Sequence, residues 1–347
     1  MENPIVLAMF YEKYIFFVAT LLCIVCIIVI FHNSIIKGVL AIPSDQTDVI
    51  FFTWKILPPT SDIKSISIDF SGNIYFAEKN GNKIGRLVPS SKTVTEWVIP
   101  TNSSGPVGVD FDSLSGNIYF IESNGNKIGR LVPSANTLTE WAIPTNSSGP
   151  IGIQFDPSSG NLYFAENNTK KIGRLDLSTN SFTEWTIPTN LGKFGFKDIL
   201  FVPQSQSFYF IESNGNKIGR LVPSNNTITE WAIPTNSNDI TGISSGFSDD
   251  IYFLKKNGNK IGRLVPSSNT ITEWAIPTNS SGPIGIQFDP SSGKLYFAEN
   301  NTKKIGRLDL STNSFTEWSI DVTPSIISVD SQGNVYFVAK EEIGRFS

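Results

Sequence analysis

The sequence predicts an all-β fold, a seven-bladed β-propeller closed by an N-terminal latch strand, and three observations carry that prediction. Tryptophan recurs at positions 54, 97, 141, 185, 231, 274 and 318. Once per cycle it is accompanied by a Tyr-Phe pair, from Tyr75-Phe76 to Tyr336-Phe337. It is also accompanied by an Ile-Gly-Arg triplet that ends at Arg86, Arg130, Arg174, Arg220, Arg263, Arg307 and Arg345. Successive tryptophans lie 43 to 46 residues apart, and each interval holds four short runs bounded by Gly, Asn, Ser or Pro. A period in the low forties with four strands per unit is the pattern of a propeller blade, and no helical period competes with it.

Taken in chain order, the first 13 residues form a short tail. Residues 14–32 follow, and within them Tyr14 to Phe31 is an uncharged run of 18 residues. As a helix it would span roughly 27 Å, enough to cross a bilayer core. It is expected to be a single transmembrane signal anchor. A cleaved signal peptide ending at Val39-Leu40-Ala41 is the alternative, but Glu2 and Glu12 beside the lone Lys13 make a poor n-region. Residues 33–48 read as a linker and residues 49–347 as the propeller.

Within the first full cycle the strands are expected at Lys64 to Phe70, Asn73 to Glu78, Lys83 to Pro89 and Val94 to Pro100. The last cycle stops at Ile343-Gly344-Arg345 without its own Trp strand, and Trp54 has no blade before it. Val49 to Leu57 is therefore expected to complete the last blade, which leaves no open edge.

Composition narrows the function classes. The net charge is −4 and the lysines and arginines are spread around the cycle, so no basic stripe is offered to a nucleic acid. The two cysteines, Cys23 and Cys26, both fall in the apolar segment, so the ring has neither a disulfide framework nor a thiol site. Lys13 and Lys37 flank that segment and nearly cancel under the positive-inside rule. Six Asn-x-Ser/Thr triplets, at Asn102, Asn146, Asn167, Asn225, Asn279 and Asn300, are candidate glycosylation sites in turns. They favour a propeller facing the cell exterior, although Asn, Ser and Thr also suit turns for conformational reasons.

Two repeated features could carry chemistry. The residue two after the Tyr-Phe phenylalanine is Glu78, Glu122, Glu166, Glu212 or Glu299 in five blades, and Lys255 or Ala339 in the other two. If these positions rim the central channel, the carboxylates are candidate ligands for Mg²⁺ or Ca²⁺, which prefer oxygen donors. The alternative is a set of hairpin ion pairs such as Glu78 with Lys83 and Glu122 with Lys127. The departures at Lys255 and in the shorter seventh-blade turn place any directional feature of the ring near blades five and seven.

The second feature is the arginines, all seven of which belong to the Ile-Gly-Arg motif. Six of the tryptophans follow a glutamate, from Glu96 to Glu317. Arg–Glu pairing and Arg stacking on Trp are expected, serving the repeat rather than a ligand. The only histidine, His32, closes the apolar segment. The propeller therefore has no imidazole for acid–base work, and no catalytic residue is assigned.

The repeat, as seen in NIYFAEKNGNKIGRL from Asn73 to Leu87 and TEWVIPTNSSGPVGV from Thr95 to Val109, resembles that of the virginiamycin B lyase, or streptogramin lyase, family. The resemblance covers all seven cycles. It implies a seven-bladed propeller and enzymes that linearise cyclic streptogramins by an elimination using Mg²⁺, histidines and glutamates at the channel mouth. In those enzymes a catalytic histidine follows a proline opening an inner strand. Here Val107, Ile151 and Ile284 follow Pro106, Pro150 and Pro283, so no histidine carries over, and the family's glutamates match only the general series Glu78 to Glu299.

Asn124 to Ile187 and Asn257 to Ile320 are also the same 64-residue text, with four differences. Near-equivalent blades suit a repeated binding surface more than one asymmetric active site. The expectation is a membrane-anchored, extracytoplasmic propeller that binds a protein, glycan or small molecule, with no cofactor required. A Mg²⁺- or Ca²⁺-dependent lyase or lactonase acting on cyclic esters and a structural cell-surface component are the alternatives.

Overall fold

The computed structural model describes residues 51–56, 62–188, 196–212, 216–234 and 240–346. They form seven four-stranded antiparallel sheets, with chain order running from the inner to the outer strand in six of them. Blade one consists of Ile63–Ile68, Ile74–Glu78, Lys83–Val88 and Thr93–Val98, close to the strands expected from the turn residues. Blades two to six repeat this plan from inner strands Pro106–Phe111, Pro150–Asp156, Phe196–Val202, Ile240–Ser245 and Pro283–Asp289.

Blade seven takes three strands from the end of the chain, Ile326–Val329, Val335–Ala339 and Glu342–Phe346, and its outer strand, Phe51–Lys55, from the beginning. The expected latch is present. Trp54 stands opposite Ile343, the register that Trp97 keeps with Ile84 in blade one. The tail, apolar segment and linker of residues 1–48 lie outside the described residues. Among the described residues, no helix is long and apolar enough to cross a membrane.

The core lies between blades. The second strands are buried along their whole length, save Lys294 at the start of that of blade six, because neighbouring sheets cover both faces and the usual alternation is lost. Tyr75, Ala77, Ile84 and Trp97 of blade one thus pack on Val109, Phe120 and Leu131 of blade two. The glycine of each Ile-Gly-Arg triplet makes room for the phenylalanine opposite: a Cβ on Gly85 would lie 2.1 Å from Phe76 Cζ. Hydrogen bonds join the blades as well, with Trp97, Trp141, Trp185 and Trp231 donating their indole N–H to Asn136, Asn180, Asn226 and Asn269 of the next blade.

The arginines stack as expected, with Arg86, Arg130, Arg174, Arg220 and Arg307 5.1 to 5.8 Å above the tryptophan of the neighbouring strand. The expected Arg–Glu pairs are not formed by these residues. The register sets Arg86 opposite Thr95 and Glu96 opposite Gly85, and residues one apart on a strand point to opposite faces. Glu96 instead meets Lys83 at 2.6 Å, and the same lysine–glutamate pair recurs at Lys127–Glu140, Lys171–Glu184, Lys217–Glu230, Lys260–Glu273 and Lys304–Glu317.

Candidate functional site

The inner strands of all seven blades line a central channel of about 900 Å³. In blades one to six the inner strand carries a register shift near its start, between Ile63 and Ser65 in blade one and at the equivalent point in the others. Such bulges re-aim side chains, and here they lie at the end of the channel bordered by the Asn-Ser-Ser-Gly loops. The positions that follow proline in the repeat, Val107, Ile151 and Ile284, line the channel there, and Lys64, Lys197, Thr241 and Ser325 fill the same place in the other blades.

Deeper in, side chains tie four of the inner strands to the next. The backbone N–H of Phe111 donates to Ser67 Oγ at 3.1 Å, that of Phe155 to Asp110 Oδ2 at 2.7 Å, that of Phe201 to Gln154 Oε1 at 3.3 Å, and that of Phe288 to Ser244 Oγ at 2.9 Å. Blade four interrupts the series with Leu200 at the corresponding position. Burial pushes the Asp110 carboxyl up to about 7 against the pull of its N–H donors.

Blade four departs again at the bulge. Where blades two, three, five and six have Gly108, Gly152, Gly242 and Gly285, it has Asp198, preceded by Lys197. Lys64, Asp110, Gln154, Lys197 and Asp198 were not singled out from sequence. The signal that marks blade four was present, since Phe196-Lys197-Asp198 breaks the Pro-x-Gly pattern of Pro106 to Gly108, Pro150 to Gly152 and Pro283 to Gly285. The expectation that asymmetry would centre on blades five and seven followed the glutamate series; in the channel wall those blades depart through Thr241 and Ser325, and the charged departures are in blades one and four, at Lys64, Lys197 and Asp198.

The glutamates themselves do not line the channel. Glu78, Glu122, Glu166, Glu212 and Glu299 are fully buried at the ends of second strands, one strand outward from the wall. Glu78 stands opposite Lys83 and Glu122 opposite Lys127, as the hairpin reading requires, but the lysines reach across to the outer strand and pair with Glu96 and Glu140. In blade two the Glu140 carboxylate and the Thr101 hydroxyl both accept from the Lys127 ammonium, and Thr101 in turn donates to Glu140, so the outer strand offers the lysine two linked acceptors. Burial, and after it the charge of Glu140, pushes Glu122 up to about 7. Burial likewise raises Glu166 and Glu299 to about 7 and Glu212 to about 8.

A divalent cation needs several oxygens converging from one place. Among the described residues no group of three or more His, Cys, Asp or Glu comes together, and a carboxyl that holds its proton near neutral pH is a poor ligand. The five glutamates do not fit a shared Mg²⁺ or Ca²⁺ ion.

The glycosylation candidates divide in two. Asn102, Asn146, Asn225 and Asn279 are exposed in turns. Asn167 and Asn300 are half-buried and hold the next blade: Asn167 Oδ1 accepts the Phe196 N–H at 2.9 Å, and Asn300 Nδ2 donates to the Pro324 carbonyl at 2.9 Å.

The comparisons with known proteins agree with this architecture. A streptogramin B lyase structure matches with a TM-score of 0.78 and 27% identity, over 86% of this chain and 97% of that one. The selenomethionine-substituted virginiamycin B lyase of Staphylococcus aureus matches with a TM-score of 0.78 and 28% identity, over 86% and 99%. A catalytically inactive histidine-to-alanine variant of the Staphylococcus aureus enzyme with quinupristin matches with a TM-score of 0.77 and 27% identity, over the same shares. No curated protein matches the chain in sequence. The model of the virginiamycin B lyase family matches residues 45–195 and 199–347, and the chain belongs to that family.

Proposed function

We propose that this protein is a non-catalytic binding module of the lyase family, anchored in a membrane by residues 14–32 and displaying its propeller outside the cell. The observation that carries the reading is the chemistry of the ring at the channel mouth. Its seven post-proline or equivalent positions are Lys64, Val107, Ile151, Lys197, Thr241, Ile284 and Ser325, and the chain's single histidine is His32. A histidine-to-alanine variant of the Staphylococcus aureus enzyme is described as catalytically inactive, which supports reading a mouth without imidazole as one that does not turn over a lactone. The buried glutamates add neither a gathered cation site nor an exposed base. What the propeller retains is a channel of about 900 Å³ whose mouth carries polar and charged groups on a few blades, a setting for a ligand.

The test is incubation of the purified full chain with a cyclic streptogramin B depsipeptide and Mg²⁺, followed by mass spectrometry. The depsipeptide is expected to remain intact. A linearised product formed at a rate proportional to protein would overturn the reading and establish the metal-dependent lyase in its place. The anchor is tested separately: the full chain is expected to need detergent for release from membranes, and release by a salt or carbonate wash would remove it.

A further inference from the structure

We infer that the channel mouth beside blade four binds a small primary amine, with Asp198 taking the ammonium group. The inference rests on the reading of the propeller as a binding module and names the ligand chemistry of its channel.

Three features of the wall converge on Asp198. At its level four other blades present only glycine, and Gly152 and Gly285 both adopt a φ of +59°, a conformation that side chains strain. The wall is therefore bare backbone around most of the circle, and the carboxylate of Asp198 enters the space left open. A Cβ on Gly152 would lie 3.8 Å from Asp198 Oδ1, which places the carboxylate over the neighbouring blade's glycine.

The second feature is the carboxylate's own bonding. Asp198 Oδ1 accepts the N–H of the following residue, Ile199, at 2.9 Å. Among the described residues no ion pair reaches Asp198, not even from adjacent Lys197. Asp110, a carboxylate deeper in the wall, accepts the Phe111 and Phe155 N–H groups and the Ser67 hydroxyl. A carboxylate in the channel wall with one local donor has acceptor capacity left over, and burial pushes Asp198 up to about 6. An ammonium group supplies both charge and donors.

The third feature sets the rest of the ligand. Lys197 and Lys64 stand at the mouth, Lys64 in an exposed pair with Asp62 at 2.8 Å. Two ammonium groups at the entrance disfavour a second cation on the ligand and favour an anionic tail. The amine is thus expected to enter first and a neutral or carboxylate end to face the mouth.

Titration calorimetry on the full chain, with 6-aminohexanoate, cadaverine and hexanoate as probes, tests this. The zwitterion is expected to bind, cadaverine to bind more weakly, and hexanoate not to bind. Asp198→Asn, which keeps the shape and removes the charge, is expected to weaken 6-aminohexanoate by about tenfold or more. On the unaltered protein the affinity is expected to rise as the pH goes up through about 6, where Asp198 ionises. The other ionisable groups on the channel wall are Lys64, Asp69, Asp110, Lys197 and Asp330.

Equal binding of hexanoate, no binding of 6-aminohexanoate at millimolar concentration, or an affinity unchanged by Asp198→Asn overturns the inference. Should that variant fail to fold, the pH series on the unaltered chain decides, a flat profile between pH 5 and 8 being the negative result. Depsipeptide turnover accompanied by amine binding would remove the non-catalytic reading and leave this site standing. The reverse outcome would remove only this site.

Discussion

Lys255 occupies in blade five the position that glutamate holds in blades one to four and six, and its contacts show what that position supplies. It is fully buried and donates to Glu273 Oε1 at 2.9 Å, while Lys260 donates to Glu273 Oε2 at 2.7 Å. In blades two, three, four and six the equivalent outer-strand glutamate keeps its lysine, and the group beside it is a carboxyl pushed up by burial. A protonated carboxyl is also a donor, so Glu122, whose proton is held by burial and by the charge of Glu140, is expected to share that proton with Glu140 as Lys255 shares its ammonium with Glu273. The sign of the pH effect follows. The folded chain holds these protons more tightly than the unfolded one, whose carboxyls titrate near about 4.3, so the stability they contribute is complete below that value. It is lost as the pH rises through about 7 for Glu122, Glu166 and Glu299 and about 8 for Glu212. Glu122→Gln is neutral at every pH and retains a donor. It is expected to melt with the unaltered protein at pH 5 and roughly 2 °C or more above it at pH 9. Thermal melts at both values decide the matter, and a difference that does not change between them would count against the shared proton.

At the scale of a strand, the residues that make the repeat visible are those that fill the space between sheets. The Tyr-Phe pair was legible as packing because both faces of a second strand are covered, which gives adjacent apolar residues instead of alternation. The glycine of Ile-Gly-Arg was not, since its role is set by a partner on another strand. Phe76 lies across Gly85, and likewise Phe120 across Gly129 and Phe164 across Gly173, with each ring on the glycine's Cα. The glutamate before tryptophan was legible as a charged partner but was assigned to arginine instead of lysine. Strand parity decides that choice: glutamate and arginine of the pair sit one register step apart, on opposite faces of the sheet. Inner strands were the least legible. Their bulges carry Lys64, Lys197 and Asp198 to the channel, and a bulge leaves no mark in a hydrophobic pattern beyond one residue out of step.

For the whole molecule, the number of blades and the closure were readable because a count of motifs constrains them, whereas the direction in which the ring is asymmetric depends on a few inner-strand residues that no count weights. Closure by a strand from the far end of the sequence makes a specific energetic demand. Phe51 of the latch is buried and packs 5.7 Å from Phe346, in a cluster that includes Trp318 and Phe337. In an open array of repeats the terminal strand would fray alone, and truncating one of its side chains would leave the bulk of the protein unaffected. In a closed ring the same truncation opens a cavity at the junction between blades six and seven and weakens every blade's enclosure at once. Phe51→Ala is therefore expected to cost about 3–5 kcal/mol, as for a phenylalanine in the middle of a core. Unfolding of the described ring should remain a single transition at lower denaturant. Equilibrium denaturation followed by both tryptophan fluorescence and circular dichroism provides the check. A cost near zero, or an early partial transition seen by one probe alone, would mean that the latch strand decorates the last blade without closing the ring.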